Sequence, residues 1–341
     1  MKNDNRTRTA ITIFTVLVLA VFLLPLAYGV SMSLKTKEQI ASLNFSPLPK
    51  SPKTFLYEGN QCDIMTVPFD DGTTRVLALV TKGRSESVFV DPSNPSSGKI
   101  TWMGQWRTLE PIMTLNPQWG NFLKAWHTVN FLKLLKNTAA YALITTFGTV
   151  LSSLLVAYGF ARFNFRFKKT LFIVLIATII LPPAVTLIPT YAIFYRIGWV
   201  GTWLPLMVPP FFANAYNVFL LRQFIMGIPR EMDEAARIDG AGPIRTLFSV
   251  IMPQAVPAII SVSLFHFFFA WNDFFGPLIY LAGKPDLLPI SVGLSTFNNM
   301  YTTEVHLVQA ASLIACVIPF IVFFFAQKFF MQGVVVTGVD K

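Results

Sequence analysis

Apolar residues along this chain gather into six long runs divided by polar stretches. The runs are Thr9–Leu34, Asn137–Ala161, Leu171–Tyr195, Trp203–Leu221, Val256–Leu281 and Val305–Phe325. About 20 apolar residues in a helix cross the hydrocarbon core of a bilayer, so each run predicts one span. The expectation is an all-α polytopic membrane protein with six transmembrane helices. Lys2, Arg6 and Arg8 precede the first run. That run is longer than the apolar core of a signal peptide and no clean small-residue cleavage pattern follows it, so it is expected to stay as the first helix.

A long polar segment separates the first two runs, and its periodicity is different. Thr74–Thr81 and Ser87–Val90 are β-branched and apolar, bounded by Asp70-Asp71-Gly72 and Pro92-Ser93. These are strand and turn signals, and they predict a small β-rich insert at about residues 50–111. The chain then divides into residues 1–35 (N-terminus and first span), 36–119 (a loop holding the insert) and 120–341 (a five-helix core). Residues 222–257 form the longest connection within that core.

Charge orients these pieces. Arg162, Arg166, Lys168 and Lys169 lie between the second and third runs with no acidic residue among them, whereas 285–304 is nearly free of Lys and Arg. Short basic loops stay cytoplasmic. Both termini are therefore expected in the cytoplasm, with 36–119 outside the cell membrane. Composition agrees: 53% of residues are apolar and 13% charged, against about 25% charged in soluble domains. The net charge of +10 sits at the ends of apolar runs, which suits a lipid bilayer and not nucleic acid. Cys62 and Cys316 cannot meet on this topology, and three histidines without Cys/His spacing give no metal motif. No cofactor is implied.

The 222–257 connection has its own pattern. Pro229 suits the opening of a helix, and Glu231, Asp233 and Glu234 favour its positive N-terminus. Asp239-Gly240-Ala241-Gly242-Pro243 breaks it, with Gly240 expected at positive φ. A second amphipathic helix is predicted from Pro243 to Met252, with Ile244, Leu247, Phe248 and Ile251 on one face. Composition alone leaves open a loop that merely joins two spans.

The residues inside it are more specific. Glu234-Ala235-Ala236, then Asp239-Gly240-Ala241, then Ile251 and Pro253, resemble the EAA motif of binding-protein-dependent ABC importer permeases. Ala161-Arg162-Phe163, Trp271-Asn272-Asp273-Phe274 and the tail Gln327-Lys328-Phe329-Phe330 with Gln332-Gly333-Val334 are similar to carbohydrate-type members, the second permease of maltose systems among them. The resemblance covers about residues 10–50 and 116–341; the 50–111 insert departs from it. It implies a non-catalytic transport subunit for a sugar or oligosaccharide, with glycerol-phosphate or a polyol as the alternative. Glu234, Ala235, Ala236, Asp239, Gly240, Ala241 and Pro253 would seat in an ATPase. The implied partners are a second permease, two ATP-binding subunits and an extracytoplasmic substrate-binding protein. Residues 332–341 resemble a segment reaching between the ATPase subunits, with a frayed polar end equally open.

No G-x-x-x-x-G-K-[ST] phosphate loop is present, so ATP hydrolysis belongs to another chain. An ion-coupled secondary transporter would show inverted repeats and broken helices around its site, and neither is evident in the sequence. A possible translocation face is Ser263, His266, Ala270 and Asp273, spaced along one side of the fifth span, with Asn214 and Asn217 in the fourth. The same polar residues could serve only to bind helices together.

Overall fold

The computed structural model describes residues 2–41, 46–69, 72–297 and 304–335. Two compact units emerge, residues 1–124 with 303–310, and residues 125–302 with 311–341.

The first unit begins with α1 (Lys2–Ser33) and the short α2 (Lys37–Ala41). Most apolar side chains of α1 stay uncovered, Phe14 and Phe22 among them, while Met32 near its end is buried. Next come β1 (Lys50–Pro52), β2 (Thr54–Tyr57), β3 (Asn60–Pro68), β4 (Thr74–Thr81), β5 (Glu86–Val90), β6 (Ile100–Met103), β7 (Glu110–Pro111) and β8 (Met113–Leu115). Strands β2 to β6 form an antiparallel meander, β7 pairs with β3, and β1 with β8. The expected strand 74–81 is there, and the expected 87–90 strand starts one residue earlier. Side chains alternate between faces. Met65, Val67, Leu77, Leu79 and Phe89 therefore meet on one side, while Cys62, Ile64 and Ala78 meet on the other. The β2–β3 hairpin closes through Glu58 and Gly59 at φ 50° and 83°, the paired positive angles of a type I′ turn. The expected Asp70-Asp71 turn lies outside the described residues.

Beyond the sheet, α3 (Gly120–Thr128) leads towards the second unit, which is built on α4 (Phe131–Arg162). Its buried positions recur as Thr138, Ala142, Thr145, Thr149, Ser153, Ala157 and Ala161, three or four apart. Small residues on one stripe let neighbouring helices approach closely. The Thr138 and Thr145 hydroxyls donate to the carbonyls of Leu134 and Tyr141, four residues back, so they cost nothing in hydrogen bonds. After α4 come α5 (Lys168–Ala177), α6 (Pro183–Arg196), α7 (Leu204–Met207) and α8 (Ala215–Gly227). They are followed by α9 (Glu231–Ile238), α10 (Pro243–Thr246), α11 (Met252–Gln254), α12 (Val256–Trp271), α13 (Phe275–Tyr280), α14 (Ile290–Gly293) and α15 (Val305–Val335). The core joins α4, α8 and α12 through Leu154, Tyr158, Val218, Leu221, Ile225 and Val262.

Four stretches among the described residues are long and apolar enough to cross a membrane, 7–33, 131–162, 204–227 and 305–328, and two bent helix pairs bring the number to as many as six. Several expected spans are not continuous helices. The 171–195 run breaks at Leu181-Pro182, because a residue before proline avoids helical angles. The 203–221 run is interrupted at Ala213 (φ 65°) and Asn214, then continues to Gly227. Residues 222–227 are thus helix, not loop. The backbone N–H groups freed at this break are met from α4: those of Ala213 and Asn214 donate to the Ser152 and Ser153 hydroxyls at 3.0 and 3.1 Å. A buried break in an apolar medium needs such partners. The 256–281 run breaks at Asn272–Phe274, and the last run extends to Val335. Residues 336–341, the end of the predicted tail, lie outside those described.

Candidate coupling site

Residues 228–255 fold as an elbow of short helices. Glu231, Asp233 and Glu234 occupy the first turn of α9, where negative charge meets the positive end of the helix dipole. Pro229 does not open the helix as expected; Arg230 is its N-cap and Pro229 lies one residue earlier. The helix ends in a Schellman cap. The Ala241 N–H donates to the Ala236 carbonyl (2.9 Å) and the Gly240 N–H to the Arg237 carbonyl (3.1 Å). Gly240 has φ 80°, the left-handed conformation that the sequence pattern predicts and that glycine adopts without strain.

Gly242 then caps α10, with Pro243 in its first turn. The predicted second helix is not uniform. It passes through a π-helical turn at Leu247–Ile251. Leu247 and Ile251 are buried, but Ile244 is 73% exposed and Phe248 also faces outward. The expected single apolar face is therefore split. The α10–α11 segment meets α12 at 83°, so it runs across the direction of that span.

Of the motif residues, Ala236 is buried, packing the elbow down, while Glu234, Ala235, Asp239, Gly240 and Pro253 face outward and Ala241 is half-buried. Ile238 is 87% exposed. Two large aliphatics, Ile238 and Ile244, thus stand uncovered on either side of the Gly240 turn. Sequence reasoning did not single out Ile238; its place just before the Asp-Gly break was the available signal.

It also missed how the elbow is held. Arg162, the last residue of α4, places Nε 3.0 Å from Asp233 Oδ2. Its Nη2 donates to the Ile228 carbonyl at 2.9 Å. The side chains are 7% and 12% exposed. Gln254 Nε2 reaches Met232 Sδ at 3.0 Å, tying α11 to α9.

The polar residues expected on a translocation face separate. Asn214 is the N-cap of α8, its side chain accepting from the Asn217 N–H at 3.2 Å. Ser263 donates to the Ile259 carbonyl in its own helix. His266 Nε2 lies 3.4 Å from Thr149 Oγ1 of α4. Asp273 does not share their helix face, because α12 ends at Trp271. Its carboxylate accepts from the Tyr141 hydroxyl (2.8 Å) and the Gly276 N–H (3.2 Å), and its carbonyl accepts from Ser291. Among the described residues no cluster of three or more His, Cys, Asp or Glu side chains has the geometry to hold a metal.

An apolar helical body with a capped elbow laid across one span defines a membrane transport subunit. Residues 130–335 match the family described as binding-protein-dependent transport system inner membrane component, and the chain belongs to it. It is a permease of the ABC importer class, without catalysis of its own. It is 31% identical over 234 residues to the sn-glycerol-3-phosphate transport system permease protein UgpE of Pectobacterium atrosepticum, covering 65% of this chain and 83% of that protein. It is 27% identical over 209 residues to the arabinooligosaccharides transport system permease protein AraQ of Bacillus subtilis, covering 61% and 74%. In fold it is similar to a chain of a bacterial ABC transporter involved in the import of the acidic polysaccharide alginate. The TM-score is 0.66 at 17% identity, over 95% of this chain and 98% of the other.

Proposed function

We propose that this permease carries a sugar or oligosaccharide and that the α9–α11 elbow is where a separate ATP-hydrolysing pair seats. The observation that carries the docking role is the Schellman-capped α9, rigidly turned at Gly240 and presenting Glu234, Ala235 and Ile238 to the outside. A lever must be stiff and shape-specific, and ATP binding shifts a conformational equilibrium only by its differential affinity for the two states. The Arg162 tie runs from this elbow into α4, around which the spans pack. The working assembly is this chain, a second permease, two ATP-binding subunits and an extracytoplasmic substrate-binding protein. The chain makes six crossings of the cell membrane, counting bent segments, with both termini cytoplasmic and the β-insert outside.

Similarity to an arabinooligosaccharide permease and the Trp271-Asn272-Asp273-Phe274 stretch favour a carbohydrate. A second reading, glycerol-phosphate or a polyol, is favoured by the 31% identity to UgpE. Competition of labelled uptake by each solute class separates them. We read Asn214, Ser263, His266 and Asp273 as helix-joining residues, since each side chain has a local or interhelical partner, and Asn217 with them, since it is buried within α8.

The test of docking uses Glu234→Lys and Gly240→Pro. Proline cannot adopt φ 80°. Both variants are expected in the membrane at normal levels, with ATPase stimulation and uptake lowered about tenfold or more, within the ~5–150-fold range of site-to-site coupling. Normal uptake and normal recovery of the ATP-binding subunits with both variants would falsify it.

A further inference from the structure

We infer that the cleft between the start of α5 and the side of α8 binds the phosphate of an anionic phospholipid. The cleft, about 460 Å³, is lined by Phe160, Asn164, Lys168, Lys169, Phe172 and Arg222, with no acidic side chain. The Arg222 guanidinium lies over the Phe172 ring at 4.3 Å. Its Nε is buried and makes no hydrogen bond. A buried guanidinium N–H without an acceptor is costly, and the residues that line the cleft hold no carboxylate to meet it. Lys168 Nζ is partly committed to the Phe163 carbonyl, but Lys169 is exposed. The ten-residue α5 begins at Lys168, adding the positive end of its dipole.

The walls decide between a lipid and a soluble anion. Phe160 and Phe172 pack edge-on at 5.4 Å, and Ile173 beside them is 67% exposed. A small anion would satisfy the cations and leave this apolar wall bare. A phospholipid covers both, with its phosphate on Arg222 and Lys169 and its chains along α5. Cations at the ends of spans attract anionic lipid at about 1 kcal/mol each. This site is independent of the docking role and of the transported solute.

The experiment uses the full-length chain purified with its partner subunits in nanodiscs of phosphatidylcholine with or without phosphatidylglycerol, with retained lipid counted by native mass spectrometry. Phosphatidylglycerol is expected to be retained in preference. Lys169→Gln should lower that preference about fivefold, the weight of one interfacial cation, and raised salt should erode it. Arg222→Gln should act in the same direction; Lys169, being exposed, keeps the result independent of folding. Absence of a preference in the unaltered protein, or an unchanged preference in Lys169→Gln, overturns the inference. So does displacement by inorganic phosphate as effective as that by phosphatidylglycerol vesicles, which marks a soluble-anion site.

Discussion

The Arg162 guanidinium and the Asp233 carboxylate stand 3.0 Å apart where the long α4 ends and the short α9 begins. A cation at a helix C-terminus and an anion at a helix N-terminus are each favoured by the local dipole, so one ion pair satisfies both ends. Neither Arg162 Nε nor Asp233 Oδ2 makes an aligned hydrogen bond, so the contact is mainly charge on charge. Asp233→Ala would leave a buried cation and should cost about 3–5 kcal/mol. That loss is read as a lower thermal midpoint of the detergent-solubilised protein. The double variant Arg162→Met, Asp233→Leu should recover most of it. An unchanged midpoint in the single variant would show that the pair does not hold the elbow.

Tyr141 and Asp273 form a second long-range tie. Tyr141 is 5% exposed and donates to a carboxylate that also caps the start of α13. Hydrogen bonds to charged groups contribute about 1.5–3 kcal/mol. Tyr141→Phe should lower stability by an amount in that range and leave the KM for uptake unchanged. Asn217→Ala and His266→Ala should likewise leave KM in place. A tenfold rise in KM for any of them would make that residue a solute contact.

Within the sheet, Phe89 is fully buried and meets Trp102 edge-on, with ring centres 6.2 Å apart. Phe89→Ala should cost about 3–5 kcal/mol. Limited proteolysis of the full chain should then cut within residues 50–115 at protease levels the unaltered protein resists. Equal resistance would refute a well-packed insert core.

Burial pushes the Cys62 thiol above its ordinary value of 9.0, helped by the carboxylates of Asp63 and Glu58. The thiol form is therefore the stabilising one. Its contribution is full below the unfolded value and is lost as pH rises through the higher folded value. Alkylation at Cys62 in the Cys316→Ser protein should lag that of a free thiol at pH 8 and accelerate at more alkaline pH. A rate matching a free thiol at pH 8 would contradict this.

Much of this molecule was legible before its structure. The apolar runs place the helices because bilayer transfer is a sum over local residues. The strand at 74–81 follows from a β-branched, apolar run bounded by turn residues, and the positive φ at Gly240 follows from a glycine set between an acidic helix and a proline. The breaks inside the runs were less legible. At Ala213-Asn214 the backbone departs from helix because Ser152 and Ser153 of another helix supply acceptors. At Asn272–Phe274 the break is held by Asp273, Tyr141 and Ser291. The amphipathic reading of 243–252 failed at Ile244 for a related reason, since a π-turn rotates the helix faces. Local pattern determined where the apolar helices run, that the insert holds strands and where the elbow turns; which strands pair was decided by the tertiary structure. Only the tertiary structure likewise decided that Arg162 meets Asp233, because Coulomb attraction and hydrogen bonding depend on separation in space, and these partners are brought together by packing alone.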